Sequence, residues 1–257
     1  MRIIRYVTPK NPAPQYGWVY EGRLGALHGS PFGAFSREEA RTPLGEVKIL
    51  PPVSPSKIIC VGRNYAAHAE EHHAEVPKVP LIFLKPPSSV IAHGESIILP
   101  PQSQQVEHEA ELAVVVGKRG RWLTTENALQ HVLGYTIAND VTARDLQRSD
   151  GQWTRGKGFD TFCPLGPWIE TEFNPADTLI TCKVNGETRQ MGSTRDMVFD
   201  IRQLLVFISS VMTLEPGDII LTGTPAGVSP LSAGDVVTVS VEGLGVLENP
   251  VQAERGR

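Results

Sequence analysis

A chain of 257 residues with 40% hydrophobic and 20% charged side chains can build one full domain plus a small appendage. Its formal net charge of −4 and pI near 6.0 exclude a global basic field for nucleic acid or an anionic membrane. Cys60, Cys163 and Cys182 are odd in number and lack C-x-x-C spacing, the N-terminus has no apolar leader and no stretch reaches membrane-span length, so a cytoplasmic protein in a reducing environment is expected.

In chain order, residues 1–52 read as a small β-rich N-terminal domain, because R-I-I-R-Y-V, Y-G-W-V-Y-E-G and R-L-G-A-L-H-G are short runs separated by Gly, Pro and Asn. The proline-rich stretch 50–57 is a linker, and residues 53–257 form the larger domain. Its first strand is K-I-I-C-V-G (57–62). The following polar stretch starts helix-like and dissolves at Pro77 and Pro80, which marks residues 68–80 as a candidate lid that orders when substrate binds. P-L-I-F-L-K (80–85) is the next strand, and its Lys85 reads as structural. V-E-H-E-A-E-L-A-V-V-V-G (106–117) reads as one long strand, residues 124–134 as a helix stopped by Gly134, and Y-T-I-A-N-D-V-T (135–142) as a strand. C-K-V-N-G-E-T-R-Q is a hairpin around Asn185-Gly186. Residues 196–218 carry an amphipathic helix ended by Pro-Gly, and strands from 218–225 and 235–251 complete an α+β chain of mixed or antiparallel strands.

In a strand, positions i and i+2 share a face, so Glu109 and Glu111 point together, Glu107 lies further along that face and His108 points away. Like charges side by side are unfavourable unless something neutralises them. Asp140 ends a second apolar strand. Three hard oxygen ligands without cysteine suit Mg²⁺, Mn²⁺ or Ca²⁺. An exposed strand face with Asp140 capping a turn is the alternative, and E-x-E alone favours it.

Five blocks in order decide between the two. G-R-N-Y (62–65), H-E-A-E-L-A-V-V-V-G-K (108–118), N-D-V-T-A-R-D-L-Q (139–147), K-G-F-D-T-F-C-P-L-G-P (157–167) and G-D-I-I-L-T-G-T-P-A-G-V (217–228) resemble the fumarylacetoacetate hydrolase superfamily, in particular its acylpyruvate hydrolase and oxaloacetate decarboxylase branch. The resemblance implies a mixed β-roll or sandwich core, a homodimer, and a divalent metal on Glu109, Glu111 and Asp140. It implies substrate contacts from Arg144, Gln147 and Lys157, a hydroxyl or backbone contact from Thr224, and a His68–Glu71 pair three residues apart. Gly156 departs from the alanine common before the lysine, which predicts a looser backbone and no lost chemistry.

H-A-E-E-H (68–72) also satisfies the inverted zinc-protease pattern, although Pro77 ends the run before a long helix can follow. Neither Gly117-Lys118 nor the segment 223–227 has the spacing of a nucleotide loop. With the metal and Lys157 bearing enolate charge and His68, oriented by Glu71, acting as general base, the parts predict hydrolysis of an acylpyruvate-type 1,3-dioxo acid to pyruvate and a carboxylic acid. Decarboxylation or tautomerisation of oxaloacetate, or isomerisation of a dienedioate from aromatic catabolism, passes through the same enolate and is the alternative. A non-catalytic metal-stabilised binding module is the reading from a different class.

Overall fold

The structure is a computed structural model that describes residues 1–254. The chain opens with β1 (Arg2–Thr8), β2 (Asn11–Tyr20) and β3 (Arg23–Gly29), then the short β4 (Phe35–Arg37), β5 (Thr42–Pro43) and β6 (Lys48–Leu50). There follow β7 (Ile58–Gly62), α1 (Ala66–Glu71), β8 (Leu81–Lys85), β9 (Val90–Ile91), β10 (Ile97–Leu99), β11 (Val106–Glu107), β12 (Ala110–Val116), β13 (Val132–Asn139) and β14 (Thr142–Ala143). Two short helices, α2 (Arg144–Asp150) and α3 (Thr154–Lys157), lead into β15 (Cys163–Glu170). The hairpin β16 (Leu179–Val184) and β17 (Glu187–Ser193), α4 (Ile201–Val211), β18 (Ile219–Leu221), β19 (Val236–Val241) and β20 (Gly245–Ala253) complete the α+β fold.

Thirteen strands form the largest sheet, whose main path runs β4-β3-β2-β1-β15-β13-β12-β18-β7-β8. Antiparallel β1–β15 pairing, with Arg2 opposite Glu170, joins the first strands to the rest of that sheet. β18 and β7 pair in parallel, so the sheet is mixed. A five-stranded sheet, β10-β20-β19-β16-β17, packs against it. Leu112, Val114 and Val116 of β12 meet Ile180, Val239 and the Leu204–Ile208 face of α4 on one side. Ala113 and Val115 pack with Ile58, Cys60 and Leu221 on the other. Burial on both faces explains why β12 reads as an unbroken apolar run rather than an alternating one.

Two expected elements come out differently. Residues 124–134 hold only one 3-10 turn, Ala128–His131, and Val132 already belongs to β13. The Asn127 side chain accepts from the Thr124 amide, a local bond that competes with helix formation, and β12 recruits the residues that follow. The strand expected over 106–117 is broken at His108–Glu109. There the backbone donors of Glu109 and Ala110 go to the side chains of Asn139 and Gln190 instead of to a neighbouring strand. The hairpin turns at Asn185-Gly186, both with positive φ, as its sequence requires. α4 starts later than the amphipathic run, at a capping box between Asp200 and Gln203. No helix among the described residues is long and apolar enough to cross a membrane.

Candidate active site

The break in β11–β12 brings the acids together. Asp140 follows the last residue of β13, and its amide donates to the Glu109 carbonyl at 2.9 Å, while the Asn139 side chain accepts from the Glu109 amide at 2.9 Å. Glu111 projects from β12, and its Oε2 accepts from the Gly223 amide at 2.7 Å. Gly223 has φ +96°, and a Cβ there would stand 2.7 Å from the Asn64 Cβ, so this close donor requires glycine. Glu109, Glu111 and Asp140 are all buried, with oxygens within 4.8 Å of one another. The expected exposed-strand alternative is therefore excluded.

Such a cluster needs cations. Lys157 Nζ donates to Glu109 Oε2 and to Asp140 Oδ2, each at 2.7 Å. Lys85 Nζ, fully buried, donates to Asp140 Oδ1 at 2.5 Å and to the Val141 carbonyl at 3.1 Å. Arg144 bridges Glu107 and Glu109 at 2.8 and 2.5 Å and donates to Gln147 at 2.6 Å. Arg144 is therefore buried within the acid cluster, and Lys85 is a site residue that the strand pattern missed. Lys157 is the last residue of α3. Gly156 before it is no loose point: a Cβ there would come within 2.9–3.0 Å of Gln147 backbone atoms, so glycine lets α3 lie against α2.

Four buried carboxylates, Glu107, Glu109, Glu111 and Asp140, face three cations, and one negative charge is left over. It shows at Glu111. Burial, then the charges of Asp140 and Glu109, push its carboxyl well above the ordinary range. At Glu109 burial also acts upward, but Lys157 and Arg144 outweigh it and hold the carboxylate below its usual range. Burial alone would lower the Lys157 ammonium, and Asp140 and Glu109 raise it instead, so it stays charged. Hard oxygen donors converging on one point, with one charge in excess, fit a divalent cation of the Mg²⁺ class. Glu109, Glu111 and Asp140 are the residues that could hold it.

Glu109, Glu111, Asp140, Arg144 and Lys157 line a cavity of about 370 Å³ together with His68, Gln147 and Thr224. His68 is buried on α1, and its Nδ1 lies 3.3 Å from Glu71 Oε2. A carboxylate only accepts, so Nδ1 carries the proton and Nε2 is left basic. Burial lowers the His68 pKa and keeps the ring neutral near pH 7, although the Glu109 charge opposes this. Glu71 is itself held by the Gly227 amide at 3.1 Å. His72 also stands close, its ring edge-on to His68 at 4.7 Å, and His68, Glu71 and His72 offer donor atoms within 4.8 Å. His72 lies past the end of α1, however, so the one-helix geometry of the zinc pattern is not formed. Of the two contacts expected of Thr224, the hydroxyl is already engaged. Its Oγ1 donates to the Ala110 carbonyl and accepts from Gln190, each at 2.8 Å, which leaves no hydroxyl proton for a substrate carboxylate. Only its backbone remains free for that role.

Residues 57–252 match the fumarylacetoacetate (FAA) hydrolase C-terminal family, and residues 1–52 match an Rv2993c-like N-terminal family. The chain is 49% identical to a mitochondrial oxaloacetate tautomerase FAHD2A of Bos taurus, over 81% of this chain and 71% of that protein. A solved 5-carboxymethyl-2-hydroxymuconate delta-isomerase from Mycobacterium smegmatis superposes with a TM-score of 0.91 at 43% identity, covering 99% of this chain and all of that one. A fumarylacetoacetate hydrolase from Exiguobacterium antarcticum does so with a TM-score of 0.89 at 40% identity and the same coverage. The chain belongs to the fumarylacetoacetate hydrolase superfamily of enzymes.

Proposed function

We propose that this enzyme forms the enolate of a 2-oxo acid in the 370 Å³ cavity, and that tautomerisation or isomerisation of that acid is its principal reaction. The observation that carries the proposal is the placing of a neutral buried base, His68, in one cavity with Lys157 and the acid cluster. A divalent ion held by Glu109, Glu111 and Asp140 would supply positive charge beside the keto oxygen. Lys157 adds a fixed ammonium to the same region, and charge developing on the oxygen there is stabilised without reorganisation. His68 Nε2 takes the proton from the carbon next to the ketone, the bonding pair moves onto the keto oxygen, and the proton is returned at oxygen or at a conjugated carbon. Glu71 holds the ring throughout, and its carboxylate offsets the imidazolium charge. The names of the tautomerase and isomerase relatives support this reaction class.

The same dyad favours a second reading, hydrolysis of an acylpyruvate. His68 would then take a proton from water, which attacks the distal carbonyl. The C–C bond breaks towards the pyruvate side, and protonation of the enolate carbon gives pyruvate and a carboxylic acid. Oxaloacetate enol absorbance and pyruvate release from acetopyruvate, each measured with Mg²⁺, separate the two. His68→Asn is expected to lower kcat by about 10²-fold or more on the true substrate. The parent should show an acid limb below the ordinary histidine pKa that the variant lacks. Full turnover in chelator, or full activity of Glu109→Ala, would overturn both readings.

A further inference from the structure

The G-R-N-Y turn has so far supplied only its surroundings to the site, and Arg63 has no assigned task. Its φ of +57° is in the left-handed region, unusual for a residue other than glycine. Strain of this kind persists only where the surroundings enforce it. Here they do. On one side Gly62 packs against the Trp153 ring, where a Cβ would stand 2.6 Å away. On the other, the Asn64 side chain donates to the Phe199 and Thr222 carbonyls and accepts from the Phe199 amide at 2.8–3.0 Å. Arg63 so held lines the cavity, and its guanidinium has no hydrogen-bond or ion-pair partner among the described residues.

A second arginine lines the same cavity. Arg144, Gln147 and Arg148 share one face of α2, so Arg148 lies about 6 Å along the helix from Arg144. Arg148 also lines the cavity and bonds only to the neutral Gln105 side chain among the described residues, at 2.6 Å. The other three cations of the site are committed to carboxylates. Arg63 and Arg148 are not, and Val61, Phe83 and Trp153 line the cavity as apolar surface for a carbon chain.

We infer that Arg63 and Arg148 together bind a second carboxylate of the substrate, so that the enzyme selects 2-oxo dicarboxylates over 2-oxo acids with a neutral tail. This rests on the enolate reading above and adds the distal anchor to it. A guanidinium gives a carboxylate two parallel charge-assisted hydrogen bonds, geometry that a neutral acyl group cannot satisfy.

Two measurements on the full-length Mg²⁺-loaded protein test it. In turnover, Arg63→Gln should lower the kcat/KM ratio of oxaloacetate over acetopyruvate by about tenfold or more, through KM. In calorimetry, the parent should bind malate about tenfold more tightly than lactate, and Arg63→Gln should erase that preference. Arg148→Gln, at an exposed helix position, should do the same and serves if Arg63→Gln does not fold. Equal affinity of the parent for malate and lactate, or equal losses on both substrates, overturns the inference while the enolate reading stands. Selective malate binding lost in the variants, without turnover of either keto acid by the parent, upholds the anchor and overturns the enolate reading.

Discussion

At Glu111 the excess charge of the cluster becomes measurable. Its carboxyl is held above its ordinary value by burial and by Asp140 and Glu109, so the folded chain keeps a proton that the unfolded chain gives up. The stabilisation this confers is complete below the ordinary carboxylate range and is lost as pH rises through that range towards the folded value. In chelator, the urea midpoint of the parent should therefore fall as pH rises above about 5, and Glu111→Gln should flatten the fall. Mg²⁺ should restore the parent at high pH and leave the variant unmoved, because the ion needs the ionised oxygen. Lys157 has the opposite character. Lys157→Met strands Glu109 and Asp140 in a buried site and should cost about 3–5 kcal/mol in urea unfolding, together with activity.

Among the elements, α3 lying against α2 sets the spacing between Lys157 and Gln147. Gly156→Ala puts a methyl within 2.9 Å of the Gln147 amide nitrogen, and α3 must give way. A loss of about 1–3 kcal/mol is expected by thermal unfolding, with KM rising as Lys157 and Gln147 move apart. Whether an element could be read from its residues depended on where its bonds were made. The Asn185-Gly186 hairpin is specified by two adjacent residues and was legible. The 124–134 segment has helix-like residues, but β12 claims Val132 onward, and that decision is tertiary. β8 is the most misleading. Leu81 and Leu84 are exposed while Lys85 is buried against Asp140, the reverse of what polarity suggests. Only the surplus of acids at Glu109, Glu111 and Asp140 hinted that another buried cation was needed. The three carboxylates lay within the ordered blocks and His68 and Glu71 followed the first of them, while the contacts of Lys85 and the occupied hydroxyl of Thr224 depend on distant segments.

For the whole molecule, β8 closes one end of the main path of the large sheet, and around it Val76, Val79, Leu81 and Leu84 are exposed. An apolar edge of this kind invites strand pairing or burial. We expect a second copy of the chain to cover it, giving twice the 28.0 kDa mass by light scattering. Leu84→Glu should shift the mass towards one chain, and a parent that stays monomeric at micromolar concentration would remove the expectation.

The parallel pairing of Ile58 with Ile219 also has a consequence for synthesis. A ribosome delivers β7 early, yet the strand that sits between it and β12 comes near the end of the chain. Until Leu221 has emerged, Ile58, Ile59 and Cys60 have no inner neighbour, and Glu111 lacks the Gly223 amide. The large sheet must therefore wait for almost the whole chain before its centre can close, and its apolar strands depend on protection during that interval. A message cut short before that point would yield no smaller working enzyme, only unpaired strands.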